Sequence, residues 1–316
     1  MLLIYWKNKV GSAVADLCTY LGLDYEMRDD SDGMVDFAQY EHIIPSPWVP
    51  GTHPVYQTGK VIAELDFAYQ YLPKAFQIVS ITGTDGKSTT TWMMYNILQK
   101  EYFGKKKVYL SGNFDIPFSA TVLDILKSGE KKGIIVVEIS SFMSYALKWI
   151  DRWGYTSDYS IFTNLKPDHL NWHRDLQEYV DAKMNLMKNT RKKVIMNAQV
   201  IEFIESQGLR LDVLPNMRIF SEVQSSQHPL NSLKIIRPRD YTDGERIIIS
   251  GRKKYLLSET HFSGMHNAMN ILSVWLIANE MRICSKHMKK YLSEIGWLSH
   301  RIELVVEKND VKYIDD

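Results

Sequence analysis

"FQIVSITGTDGKSTTTWMMYNILQK", residues 76–100, joins a β-branched apolar run to a glycine-bearing turn with Gly-Lys-Ser and then to a helical stretch. Strand, loop and helix in that order read as a phosphate-binding turn within an α/β fold on a mostly parallel sheet. The commonest such loop, G-x-x-x-x-G-K-[ST], requires glycine at 81, where this chain has Ile81; its earlier glycine is Gly83. The physics survives the shift, because Gly83 and Gly86 still let backbone N–H groups curl around an anion at the N-terminus of the next helix. Lys87 is placed to reach the outer phosphates, Ser88 to help hold Mg²⁺, and Thr89 and Thr90 to cap the helix or donate to phosphate. The bland alternative is an ordinary strand-to-helix turn with an exposed lysine.

Downstream, strands and helices alternate: "KKVYLSG", "FSATVLDILKSG", "GIIVVEIS", "YSIFTNL", "LQEYVDAKMNLMKN" and "KKVIMNA". Continuous β-branched runs such as "IIVVEI" predict parallel strands covered on both faces. "ERIIISGRKKYLLS" predicts an antiparallel hairpin turning at Gly251 and Arg252, followed by a long helix over "HNAMNILSVWLIANEM". Upstream, "LLIY", Gly11 and "SAVADLCTYLGL" predict a strand, turn and helix, and "HIIPSP" a second short strand. The predicted organisation is a small Rossmann-like α/β domain over 1–73, a central ATPase-type domain over 74–298, and over 299–316 a linker and the start of a truncated third domain. A pair of strands around Asn309-Asp310 has no element to pack on.

Composition narrows the function. Lys plus Arg is 38 and Asp plus Glu 37, a net charge of +1 that supplies no basic field for nucleic acid. The two cysteines, Cys18 and Cys284, lie far apart without metal-ligand spacing and are expected as small buried groups in helices. No signal peptide is evident, and "ILSVWLIAN" falls short of a membrane span. A cytoplasmic, monomeric protein with no membrane span is expected.

Seven ordered motifs carry a resemblance. "TGTDGKST" resembles the T-G-T-[NHD]-G-K-[ST] loop of the Mur ligase family, ATP-dependent amide-forming enzymes. "SGNFDIPF", "VVEISSFMSYAL", "IFTNLKPDHLNWH", "YVDAKMNLM", "SGMHNAMNILSV" and "HRIE" then resemble that family's successive motifs. Phe142 after Ser140-Ser141, together with "HRIELVVEKNDVKYIDD", resembles the D-glutamate-adding branch.

The resemblance implies phosphorylation of a carboxylate by ATP, then attack by an amine, joining D-glutamate to UDP-N-acetylmuramoyl-L-alanine in peptidoglycan precursor synthesis. It implies a nucleotide loop of Gly83, Thr84, Asp85, Gly86, Lys87, Ser88 and Thr89, and two Mg²⁺ ions held through Ser88, Glu138, His169 and Lys183. Glu138 ends a parallel strand, where a carboxylate is a hard oxygen ligand. Asp168 is placed to orient His169, or else to cap a helix. Lys183 corresponds to a lysine that forms a carbamate, which requires a desolvated, neutral amine. Asn113 would contact the γ-phosphate or acyl phosphate. Asn267 and Asn270, three apart on one helix face, would read adenine, or serve as a cap and its neighbour. Arg301 and Asp316 resemble the arginine and linker aspartate that touch nucleotide phosphate and ribose as a third domain closes.

The pattern departs near the N-terminus. "YWKNKVG" offers only Gly11 where the family carries a Gly-rich turn, and in "SPWVPGTHP" Trp48 stands in place of glycine, with Ser46 and Thr52 as candidate donors to a diphosphate. With the third domain wanting, the chain alone is expected to bind Mg·ATP weakly and to turn over little. Two other readings stay open: a Mur-type ligase with a different acyl acceptor, and a non-catalytic nucleotide-binding scaffold.

Overall fold

The computed structural model describes residues 1–147, 154–221, 233–236, 247–250, 253–262, 264–296, 303–308 and 311–315. Near the N-terminus, β1 (Leu2–Tyr5), α1 (Lys9–Leu21), β2 (Tyr25–Arg28), β3 (His42–Pro45) and α2 (Glu64–Tyr69) form a three-stranded unit of order β2-β1-β3 with parallel pairing throughout. Helix α1 stops where Gly22 turns left-handed at φ 69°.

The second sheet begins with β4 (Ala75–Thr82), α3 (Lys87–Glu101), β5 (Lys107–Gly112), α4 (Phe118–Ser128), β6 (Lys132–Glu138) and α5 (Ser141–Tyr145). It continues through β7 (Ser157–Phe162), α6 (Leu176–Lys188), β8 (Thr190–Asn197), α7 (Ala198–Ser206), β9 (Met217–Ser221), β10 (Leu233–Ile236), β11 (Ile247–Ser250) and β12 (Lys253–Leu256). Helices α8 (Gly264–Glu280) and α9 (Ser285–Glu294) follow, and β13 (Glu303–Lys308) pairs antiparallel with β14 (Val311–Asp315).

The nine strands lie in the order β12-β11-β10-β9-β8-β7-β4-β6-β5. From β5 to β10 the neighbours are parallel, and only the β10-β11-β12 margin is antiparallel. From β4 the chain moves out to β5 and β6 on one side, then crosses to β7 on the other. The carboxyl end of β4 is therefore a switch point, where open α/β sheets leave a crevice for ligands.

Period-two alternation divides the core. Val79, Ile81, Ile134 and Val136 face one way, into a cluster with α3, α8 and α9. Ile78, Ile135 and Val137 face the other, into a cluster with α4, α6 and α7 that also takes in Leu17 and Cys18 of α1 and Leu65 and Phe67 of α2. That second cluster is what seats the N-terminal unit against the central sheet.

The predicted elements between 76 and 197 are present. The 245–258 hairpin appears as paired β11 and β12, with the expected turn at 251–252 outside the described residues, as is the 309–310 turn between β13 and β14. One expectation is corrected: Cys18 is buried in α1, but Cys284 is exposed, because it occupies the N-cap position before α9 rather than a helix face. Strands β2, β9 and β10 and helices α5, α7 and α9 add to the predicted set. Among the described residues no helix is long and apolar enough to cross a membrane.

Candidate active site

The phosphate loop is held from the side by the chain after β7. Gly83 has φ 155°, and a Cβ there would lie 1.9 Å from the Thr163 hydroxyl oxygen. Only glycine fits so close an approach. Thr163 Oγ1 donates to the Asp85 carbonyl at 2.7 Å, and Asn164 donates to the same oxygen while its Oδ1 accepts the Asp85 N–H at 2.8 Å. Lys166 pairs with the Asp85 carboxylate at 2.8 Å, and its N–H donates to Thr84 Oγ1. Gly86, at φ 74°, is the residue before α3, which begins with no side-chain cap. Ser88 and Thr89 lie half-buried in that first turn. The N-terminal donors of α3 thus face the loop's concavity without an internal acceptor from a capping side chain.

Two lysines meet this loop. Lys87 Nζ donates to the Thr84 carbonyl at 2.6 Å, and Lys183 Nζ donates to the Gly83 carbonyl at 2.7 Å. Lys183 is 1% exposed, with its ammonium over the Tyr179 ring. Burial holds its pKa well below the usual lysine value, and the Lys87 charge lowers it further. Tyr179, one helical turn before Lys183 on α6, also shares a hydrogen bond with Thr84 Oγ1 at 3.0 Å.

Glu138 ends β6 and is 1% exposed. Gly112, at φ 92°, lets the next loop pass close, since a Cβ there would lie 2.1 Å from the Glu138 carbonyl. Asn113 consequently donates twice: its N–H to that carbonyl and its Nδ2 to Glu138 Oε1, both at 2.9 Å. Glu138 Oε2 is buried without a hydrogen-bond partner. A carboxylate with one oxygen anchored and the other unpartnered suits a hard cation.

His169, which lines the cavity beside Lys87 and Lys183, adopts φ 55°, an uncommon conformation for a side-chain-bearing residue. Asp168 Oδ2 lies 3.3 Å from His169 Nε2, and Asp168 Oδ1 accepts the His169 N–H at 2.8 Å. Asp168 therefore serves the histidine, while the N-cap of α6 is Asp175. Partial burial lowers the His169 pKa against the opposing pull of Asp168, favouring the neutral imidazole that can ligate.

Four of these groups face one cavity of about 260 Å³. Lys87, Asn113, His169 and Lys183 line it from the central sheet, and Lys9 and Trp48 from the N-terminal unit. Trp48, 65% exposed, lies 6.0 Å from the Phe142 ring, and Phe142 packs at 4.7 Å against both His169 and Trp172.

Asn267 and Asn270 lie elsewhere, buried on α8 beneath the loop. A Cβ on Gly86 would sit 2.8 Å from Asn270 Oδ1, and Asn270 Nδ2 donates to Asn267 Oδ1 at 3.4 Å. Arg301 and Asp316 fall outside the described residues. Ser46 is buried; its hydroxyl accepts from Asn8 Nδ2 at 2.7 Å and thus fastens two loops of the N-terminal unit together. Thr52 is exposed.

Sequence reading passed over His173 and Glu64. His173 is buried, its Nε2 is 2.9 Å from Ser141 Oγ, and burial with the Lys183 charge lowers its pKa to about 4. Its place four residues after His169 was the available signal. Glu64 also lines the cavity, and nothing in its local sequence marks it.

Among the described residues no three His, Cys, Asp or Glu side chains cluster as a metal cage. Such a site suits Mg²⁺ that takes most of its oxygens from phosphates and water, with one or two protein ligands.

Residues 81–278 match the family described as the Mur ligase middle domain. The chain is similar to the UDP-N-acetylmuramoylalanine--D-glutamate ligase of Aquifex aeolicus, 26% identical over 99% of this chain and 69% of that protein. It is also similar to the enzymes of that name from Syntrophus aciditrophicus, 29% identical over 95% and 63%, and Clostridium botulinum, 31% identical over 76% and 47%. It therefore spans between about half and two thirds of these relatives' lengths. Among solved structures, a pseudomurein peptide ligase type C from Methanothermus fervidus aligns with TM-score 0.57 and 18% identity, covering 99% of this chain and 74% of its own. The MurF ligase of Thermotoga maritima, in complex with ADP, aligns with TM-score 0.56 and 16% identity over 99% and 67%. Those two likenesses concern the fold.

Proposed function

This chain belongs to the Mur ligase family, and from that premise we propose that it carries the ATP-activating and precursor-binding parts of a ligase joining D-glutamate to UDP-N-acetylmuramoyl-L-alanine. The observation that carries the proposal is the cavity into which Lys87, Asn113, His169 and Lys183 converge from one side and Lys9 and Trp48 from the other. The curated relatives bearing the D-glutamate name favour that acceptor over others. Residues 1–73 are proposed as the precursor-binding domain, 74–298 as the ATP-binding domain and 299–316 as the linker to a further domain.

Mg·ATP, when bound, supplies the phosphoryl group that activates the precursor carboxylate and the divalent charge that shields it. The chain's own part is positioning and charge neutralisation. Residues Gly83 to Thr89 would cradle the phosphates, with Lys87 on the outer ones. Ser88 and the unpartnered Oε2 of Glu138 would hold the metal, and His169, oriented by Asp168, a second one. Asn113 both steadies Glu138 and faces the cavity, where the γ-phosphate would lie. Lys183, buried with its pKa held down, is biased toward the neutral amine that carbamate formation needs; the carbamate would reverse its charge beside His169. Asn267 and Asn270 would read the adenine edge, Asn270 from its place beneath the loop at Gly86.

Calorimetric titration tests this reading. A non-hydrolysable Mg·ATP analogue, then UDP-N-acetylmuramoyl-L-alanine, should each bind saturably. Lys87→Ala should weaken the nucleotide by roughly 100-fold, the scale of losing a charge-assisted contact of about 3 kcal/mol. A wild-type chain that binds neither ligand would remove the proposal.

A further inference from the structure

Glu64 is 5% exposed, starts α2 of the N-terminal unit, and lines the same cavity. Its Oε1 accepts the Ser119 N–H at 2.5 Å. Ser119 is the second residue of α4, a helix of the central sheet whose own N-cap position is Pro117 and which has no local side-chain cap. A carboxyl from one unit therefore caps a helix of the other. Helix α4 follows directly on the loop that carries Asn113, and that loop is tied at both ends: Gly112 N–H donates to the Ile116 carbonyl at 2.7 Å, and Asn113 holds Glu138 through main chain and side chain. Two residues on, Asp66 Oδ1 accepts the Tyr155 N–H at 2.8 Å, a second link from α2 to the central unit. Burial raises the Glu64 pKa against the Ser119 hydrogen bond, and glutamine keeps the size of the side chain and an oxygen able to accept the Ser119 N–H.

We propose that Glu64 is a positioning residue: by capping α4 it ties the seat of the N-terminal unit to the loop that sets Asn113 and Glu138, so that precursor and nucleotide bind cooperatively. The inference rests on the function proposed above, which assigns a ligand to each side of the cavity. Calorimetry of UDP-N-acetylmuramoyl-L-alanine with and without the non-hydrolysable Mg·ATP analogue, in wild type, Glu64→Gln, Glu64→Asp and Glu64→Ala, tests it. In wild type the nucleotide should tighten the precursor by at least about fivefold, the lower range of coupling between sites. Glu64→Gln should keep that ratio. Glu64→Asp, too short to reach Ser119, and Glu64→Ala should keep nucleotide binding while the ratio falls toward one. A purely structural role would weaken both ligands and leave the ratio alone, which overturns the inference, as does an unchanged ratio in Glu64→Asp. If Glu64→Ala fails to fold, the Gln and Asp variants decide by themselves. Wild-type binding of both ligands without coupling overturns this inference alone; wild-type binding of neither removes the underlying function as well.

Discussion

Two of the strand-loop-helix turns at the carboxyl ends of parallel strands, the one between β4 and α3 and the one between β1 and α1, treat the helix N-terminus in opposite ways. Before α3, glycine occupies both positive-φ positions, Gly83 and Gly86, and no side chain caps the helix. Before α1, Trp6 adopts φ 103°, and Asn8 Oδ1 accepts from both Val10 N–H and Gly11 N–H at 3.0 Å. The lone glycine of that turn, Gly11, answers to the fold itself: a Cβ there would lie 2.4 Å from the Trp6 carbonyl. Shared topology therefore does not make a shared anion site. What decides is whether the helix's first N–H groups are already satisfied from within. In the N-terminal unit they are, so a diphosphate bound there would rely on side chains such as Lys9 or displace the Asn8 cap.

The comparison breaks first at Gly83. Gly83→Ala drives a Cβ into Thr163 and asks alanine for φ 155°, so the variant should be destabilised by about 3 kcal/mol, with loss of nucleotide binding. An unshifted denaturant midpoint would mean that the loop is not built as described.

Lys183→Met sharpens the view from beneath the loop. A lysine whose folded-state pKa is depressed binds fewer protons folded than unfolded between that value and about 10.4, so its contribution to stability improves as pH rises through the window. The wild-type slope should exceed that of Lys183→Met by up to about 1.4 kcal/mol per pH unit. Denaturant melts from neutral to alkaline pH measure it, and parallel slopes would show that the amine is not buried in its charged form's disfavour.

Asn8→Ala has the smallest expected effect, a loss of about 1 kcal/mol from an ordinary helix cap. Its use is comparative: calorimetry with inorganic diphosphate should detect binding no weaker than in wild type once Val10 and Gly11 donors are uncovered. Weaker binding would assign Asn8 to the ligand rather than to the helix.

Much of the site was legible because its motifs are local. Strand, glycine loop and helix occupy consecutive residues, so the Lys87 turn follows from sequence order, and Glu138 from its place at a strand end. Lys183 was harder, since a helix lysine is ordinarily solvated; its depth depends on Tyr179 and the underside of the loop, about 100 positions away in the chain. His173 and Glu64 were not legible as site residues. The first is buried by Phe142, Trp172 and Tyr179, and the second gains its role from Ser119, 55 residues on. Cys284 was misread because a one-residue shift past a helix boundary exchanges a buried face for a cap position.

By itself the sequence determined the alternation of elements, the phosphate turn and the family, because hydrophobic period, glycine and loop chemistry act over neighbouring residues. Only the tertiary structure decided which carboxylate oxygen stays unpartnered, which lysine loses its water, and that a residue of the N-terminal unit caps a helix of the central sheet. Those properties arise from desolvation and hydrogen bonding between segments far apart in the chain, which no local pattern encodes.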